Sequence, residues 1–477
     1  MLVLINANQM QPPVAPIGLD YVATAAQQAG ISTEVVDLCL ADDPDRLLPE
    51  YFARVSPMLV GVTFRNVDDS FWPSATWFVP ALTELVTQLR QLTSAPVLLG
   101  GVGFSVFAER LVQRTGADYG IRGDGEQAIV ELWHALTGKG ALEQVPGLVW
   151  RNGGSVRSNR PAWPATLSVP TSRSSIDNAA YFARGGQGGI ETKRGCPRKC
   201  IYCADPLAKG TRVRERDPRE IADEFETLAG QGVDVLHLCD GEFNVPRLHA
   251  QRVCEELISR KLSERVRWYT YATVTPFDAQ LAALMHRAGC VGIDFTGDAG
   301  SNHMLVRYSH PHRQSDLGET VRLCRQHQIR CMIDLLLGGP GETPETVQET
   351  ISLLKSIAPD CVGASLGLRL YPGTPAAAQL LAEGPLEDNP GIRRKYSGPV
   401  ELLRPTFFIS PALGSRPAEL VRELIGSDTR FFPPAEEALA GHAAGDHNYN
   451  DNAPLVAAIA RGERGAYWDI LRRDAGG

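Results

Sequence analysis

The chain passes twice through one succession: strand-length apolar runs alternating with amphipathic helices, most strands ending in a glycine- or proline-marked turn. In the first pass the pattern predicts strands over 2–6, 33–38, 59–63 and 96–99, with helices over 19–29 and 82–89. Strands that alternate with helices form a parallel sheet covered on both faces, so residues 1–150 read as a doubly wound, Rossmann-like α/β domain. In the second pass strands are predicted over 190–192, 233–239, 267–271, 291–295, 330–337 and 361–370. Six such units make a partial (β/α)6, TIM-like barrel over 186–376, whose site lies at the carboxyl ends of the strands. Residues 151–185 are rich in Pro, Ser, Gly and Asn and read as a loop-rich surface linker. Residues 377–477 lack the alternation and read as a small, mostly helical C-terminal region.

The first barrel strand leads into Cys196, Cys200 and Cys203, spaced C-x3-C-x2-C with Tyr202 before the last thiol. Three thiolates in one short loop suit three corners of a cubane iron–sulfur cluster and leave the fourth iron open. Zinc is the alternative, but it usually takes four ligands, often as two C-x2-C pairs, and no second pair follows. The other seven of the ten cysteines are scattered, which argues against a disulfide framework and for a reducing, cytoplasmic setting. A net charge of -8 and the absence of a basic run exclude nucleic acid as a favoured partner. No apolar run approaches the ~20 residues of a membrane span, and Met1 to Asn6 reads as a strand rather than a signal peptide.

The cysteine loop resembles that of the radical S-adenosylmethionine (SAM) enzymes. Asp240-Gly241-Glu242 resembles the family's Gly-Gly-Glu-like motif for the SAM amino group, with helix capping the other reading of Asp240. The stretch around Asp294 and the Gly338-Gly339-Pro340-Gly341-Glu342 turn also match. The resemblance implies that Cys196, Cys200 and Cys203 hold a [4Fe–4S] cluster. It implies that Tyr202, Asp240, Gly241, Glu242, Asp294 and Gly338 surround SAM, and that a flavodoxin- or ferredoxin-like protein donates electrons. The first domain is similar to the cobalamin-binding domain that precedes many radical SAM domains. A Pro-rich turn at Pro12 and Pro13, the pair Gly100-Gly101 and the turn Gly123-Asp124-Gly125-Glu126 carry that likeness. The D-x-H-x-x-G signature is absent, with Asp37-Leu38-Cys39-Leu40-Ala41 at its place. Pro13, Thr63, Arg65, Asn66, Gly100, Gly101, Gly123 and Glu126 are then the cobalamin contacts. Arg65 faces the lower side of cobalt, unless it pairs with Asp68 or Asp69.

The combination implies a cobalamin-dependent radical SAM methyltransferase acting on carbon, or on phosphorus, of a natural-product intermediate. A non-methylating rearrangement, ring contraction or cyclisation and a non-catalytic cobalamin or redox sensor are the alternatives. In the C-terminal region Tyr449, Tyr467 and Trp468 are candidate substrate contacts that cap the barrel, with core packing the other reading. His447 is a candidate proton carrier.

Overall fold

The computed structural model describes residues 1–435 and 448–475; His447 lies outside them. The N-terminal sheet has the order β2-β1-β3-β4-β5-β6-β7. Its strands are β1 (Leu2–Asn6), β2 (Thr33–Asp37), β3 (Leu59–Thr63), β4 (Val97–Gly100), β5 (Tyr119–Ile121), β6 (Leu148–Asn152) and β7 (Ser155–Ser158). The first five are parallel, and β6 and β7 add an antiparallel hairpin. Apolar runs such as Leu2-Val3-Leu4-Ile5 are buried on both faces, as a sheet sandwiched by helices requires. The sheet therefore runs to Ser158, beyond the boundary expected at 150.

The linker is not a surface loop. Leu167, Val169 and Arg173 are buried, and residues Asn178–Gly185 form a helix. Arg173 sits between the two α/β units, with its guanidinium 2.6 Å from Asp20 and 2.8 Å from Glu224. Glu224 also pairs with Arg216 at 2.6 Å and accepts the Tyr21 hydroxyl at 2.7 Å. Composition signals a lack of regular structure here, but paired buried charges give the segment a fixed path.

The second unit opens with β8 (Gly188–Ile190) and the two-residue strands β9 (Lys193–Arg194) and β10 (Arg214–Glu215), which pair with each other. Next come β11 (Val235–Leu238), β12 (Arg267–Thr273), β13 (Cys290–Asp298), β14 (Arg330–Leu337) and β15 (Cys361–Leu366). Short strands β16 (Leu368–Arg369), β17 (Ile392–Arg393) and β18 (Phe407–Phe408) form a small antiparallel sheet. The barrel order is β8-β11-β12-β13-β14-β15-β19, parallel throughout, and β19 (Phe431–Phe432) adds a seventh strand to the six expected. Ile293, Phe295 and Ile333 point outward into the helix-covered core, so Asp294, Thr296 and Asp334 point into the lumen.

The C-terminal helices Ala453–Ala460 and Tyr467–Ala475 close the base of this lumen. Leu455, Ile459, Trp468 and Ile470 pack on Val235, Tyr269, Met332 and Cys361, which stand at the amino ends of their strands. These helices plug the barrel at the amino ends of its strands. Trp468 belongs to the plug: it is buried, edge-on to Tyr269 at 6.1 Å.

Candidate active site

The cysteine loop crosses the mouth of the barrel, directly after β8 and β9. Cys196 is tied to the loop's return by its amide, which donates to the Gly210 carbonyl at 3.1 Å. The Cys200 to Cys203 half is tied instead to the segment after helix Asn302–Arg307, through the Ile201 amide on the Tyr308 carbonyl. All three thiols are partly buried. Burial raises the pKa of each: nearby Asp298 and Glu242 help push Cys200 up to about 12, and Asp205 adds to the rise at Cys203. The loop by itself is a thiol site, and a bound metal must drive the ionisation. Among the described residues no three His, Cys, Asp or Glu side chains converge on a point that a single ion could fill. Three separate thiols suit three corners of a cluster better than one zinc.

Glu242 is the carboxylate turned toward this loop. Its Oε1 accepts the Thr296 hydroxyl at 2.9 Å, while its buried Oε2 has no hydrogen-bond partner. Burial pushes its pKa up to about 7 against that hydrogen bond. Asp240, expected beside SAM, is instead committed to the chain leading into the loop. It accepts from the Thr192 amide and Lys193 Nζ at 2.7 Å each, and from the Thr192 hydroxyl at 2.5 Å. Burial opposes its charge, but the Lys193 ammonium and the two Thr192 donors together outweigh this and hold Asp240 below the usual carboxylate range. It does not cap the next helix either, whose N-cap is Pro246. Gly241 is exposed beside Asp205.

Gly338 is also committed to local structure. Its amide donates to Glu342 at 2.6 Å, its carbonyl accepts from the Ser410 amide at 2.7 Å, and its φ is +90°. Asp294 lies one inward position below Thr296, some 7 Å deeper along the strand. Burial, and after it the neighbouring Asp334 carboxyl, raise its pKa well above the ordinary range. The lumen residues that reach the loop are Thr296, through Glu242, and Asp298, which accepts the Tyr202 hydroxyl.

The N-terminal domain presents the ends of β3 and β4 to the same mouth. Thr63, Arg65, Asn66, Gly100 and Gly101 meet there, joined by the Phe64 amide on the Gly100 carbonyl at 2.7 Å and the Gly103 amide on the Arg65 carbonyl at 2.8 Å. A Cβ on Gly100 would meet nothing within 4 Å, which leaves an open face for a flat ligand. Gly101, at φ +105°, is needed for a different reason: its Cβ would strike the Phe64 carbonyl oxygen at 2.6 Å. Arg65 is exposed, without a pair to Asp68 or Asp69; its charge acts on Cys239, Tyr271 and Tyr467. Asp68 pairs with Arg369 at 2.7 Å.

Three expected cobalamin contacts have other partners. Glu126 forms a two-pronged pair with Arg194, at 2.7 and 3.0 Å, and Asp124 pairs with Arg214. Gly123 lies under the Trp163 ring, and the Pro13 carbonyl packs on Gly185. The Gly123-Asp124-Gly125-Glu126 turn thus grips β9 and β10, the two short strands that flank the cysteine loop.

Inside the lumen Tyr271 is 43% exposed, so side chains do not fill the middle of the barrel. His237 lies 4.7 Å from its ring and is held neutral by burial, its pKa pushed down to about 4. Tyr449 and Tyr467 rise from the plug, edge to face at 5.8 Å.

The geometry agrees with the comparisons. Residues 4–133 match the B12 binding domain, and residues 190–354 match the Radical SAM superfamily. A tryptophan 2-C-methyltransferase from Streptomyces laurentii is 30% identical, over 98% of this chain and 94% of its own length. The radical SAM methyltransferase TsrM from Kitasatospora setae, solved with tryptophan and a SAM analogue, is 32% identical. It superposes with a TM-score of 0.92 over 100% of this chain and 98% of its own. This chain belongs to the cobalamin-dependent radical SAM methyltransferases. The methyltransferase uses cobalamin, a [4Fe–4S] cluster and SAM. The cobalamin-dependent enzyme OxsB, at 15% identity and a TM-score of 0.72 over 86% of this chain, shares the fold. No described helix of the methyltransferase is long and apolar enough to cross a membrane.

Proposed function

We propose that the enzyme methylates a ring carbon of tryptophan or of a closely related indole amino acid. The likeness to tryptophan methyltransferases carries this reading, because it extends through the C-terminal residues that shape the lumen. An indole is flat and apolar with one N–H, and Tyr271, Tyr449, Tyr467 and His237 offer flat walls of matching character. The Asp294–Asp334 pair lies within reach of any polar group held between those walls.

Bound cofactors supply the methyl group, its carrier and an open iron. The chain's own residues hold and shield them. Cys196, Cys200 and Cys203 hold the cluster. The unpartnered oxygen of Glu242 meets the positive charge that arrives beside it, with SAM's ammonium the fitting group. Thr63, Arg65, Asn66, Gly100 and Gly101 face cobalamin. Arg65 would bring its positive charge to the side of the cofactor that faces the barrel mouth. The electron donor is a small flavodoxin- or ferredoxin-like protein, and the setting is the cytoplasm.

The test is an anaerobic incubation of the reconstituted enzyme with cobalamin, tryptophan and methyl-labelled SAM, followed by mass spectrometry. Labelled ring-methylated tryptophan with S-adenosylhomocysteine is the expected result. Release of 5′-deoxyadenosine alone, with tryptophan and its close analogues untouched, would sink the reading.

A further inference from the structure

The aromatic residue inside the cysteine loop is a tyrosine whose hydroxyl is tied down. Tyr202 stands between Cys200 and Cys203, and its hydroxyl donates to Asp298 Oδ2. The same oxygen meets His310 Nε2, and Tyr202 Oη lies 3.4 Å from that nitrogen. All three side chains converge on one carboxylate oxygen. Asp298 is the last residue of β13, 4% exposed, and it holds φ +56°. A non-glycine residue stays in that region only when its surroundings fix it.

Those surroundings are layered. The Tyr202 ring lies edge-on to Tyr308 at 5.8 Å. The His310 ring lies tilted against His312 at 4.9 Å, and His312 Nε2 is 3.3 Å from the Gly297 carbonyl, one residue before Asp298. Tyr308 is itself fixed, with its hydroxyl donating to the Leu336 carbonyl at 2.7 Å. The segment Tyr308-Ser309-His310-Pro311-His312 therefore braces one half of the cysteine loop, while the Cys196 half rests on Gly210.

We propose that Tyr202, Asp298 and His310 form a hydrogen-bonded strut that sets the position of Cys200 and Cys203 against the barrel. Tyr202 and Asp298 are positioning residues: the strut fixes two of three thiolates and the charge beside them. A phenylalanine at 202 would fill the same space but leave those two sulfurs joined to the barrel by packing and by the two backbone bonds of Ile201, to Tyr308 and to Ala376. The inference rests on the assignment of this loop to the [4Fe–4S] cluster.

The test compares Tyr202→Phe, Asp298→Ala, their double variant, His310→Gln and His310→Ala with wild type, each reconstituted anaerobically as full-length protein. The readouts are the electron paramagnetic resonance spectrum of the reduced cluster and the rate of iron loss to a chelator. Tyr202→Phe and Asp298→Ala should each retain a cluster, share one altered spectrum and lose iron about tenfold faster, as expected for loss of a hydrogen bond to a charged group. The double variant should be no worse than either single one, because both remove the same contact. His310→Gln keeps a donor and should stay closer to wild type than His310→Ala. A Tyr202→Phe spectrum and rate equal to wild type would overturn the strut, as would additive losses in the double variant. Cys200→Ala, run alongside, separates the two claims. A cluster retained there overturns the loop assignment and the strut with it; a lost cluster there beside an unchanged Tyr202→Phe overturns the strut alone.

Discussion

Glu242 shows what one side chain concedes to its task. A buried carboxyl whose second oxygen has no partner is held in its neutral form, with its pKa raised from 4.5 to about 7. Between those values the folded chain keeps a proton that the unfolded chain has released. Stability of the cofactor-free protein therefore falls as pH rises through that window, and the penalty is complete above it. Glu242→Gln should raise the stability of the cofactor-free protein at pH 8 by about 1–3 kcal/mol, with the gain vanishing near pH 4.5. The same variant should bind SAM more weakly. Thermal melts at the two pH values and equilibrium binding check both statements; a melt unchanged at pH 8 would mean that the carboxylate is already satisfied. Cys200→Ala should lose the cluster's absorbance and all SAM cleavage, read by the visible spectrum and product analysis.

At the scale of elements, two short stretches are fixed from outside themselves. The chain entering the cysteine loop depends on Asp240, and Asp240→Ala would leave the Lys193 ammonium buried without its partner. A loss of about 3–5 kcal/mol in denaturant unfolding is expected, with lowered iron content as the second sign. The turn after β4 depends on Gly101, where an added Cβ meets the Phe64 backbone at 2.6 Å in a left-handed conformation. Gly101→Ala should cost about 1–3 kcal/mol and weaken cobalamin binding, measured by spectral titration.

These elements also show how far the sequence could be read. The cysteine loop, strands β1 to β4 and the barrel strands β8 and β11 to β15 were legible because thiol spacing and apolar runs are local signals, whereas the polar hairpin β6–β7 and the two-residue strands β9 and β10 carry no such signal. The ion pairs of Asp240 and Glu126 were not legible because a carboxylate says nothing about which distant cation it will meet, here Lys193 and Arg194. Asp298 and Asp334 escaped notice because only the strand register shows which alternate positions face the lumen. The strand β19 is two residues long, too short to have a period.

Over the whole molecule, the cobalamin-type domain and the barrel are joined through buried charge. Arg173 with Asp20 and Glu224, Arg194 with Glu126, and Arg369 with Asp68 all reach from one unit or its linker to another. Such pairs fix geometry more than they add stability, but removing one member strands the rest. Arg173→Met should cost about 3–5 kcal/mol and expose the linker to limited proteolysis. Arg194→Met should leave cluster and cobalamin loading near normal while lowering methyl transfer, because it loosens one cofactor's support against the other's; cofactor analysis beside a turnover assay separates these outcomes.

The plug has a consequence for traffic. A shaft closed at its base is entered and left by one door, the mouth that the cysteine loop crosses. Whatever lies deepest has to go in first and come out last. Substrate would precede SAM, spent SAM would depart ahead of the methylated product, and a slow exit through the crowded mouth would set the pace of turnover.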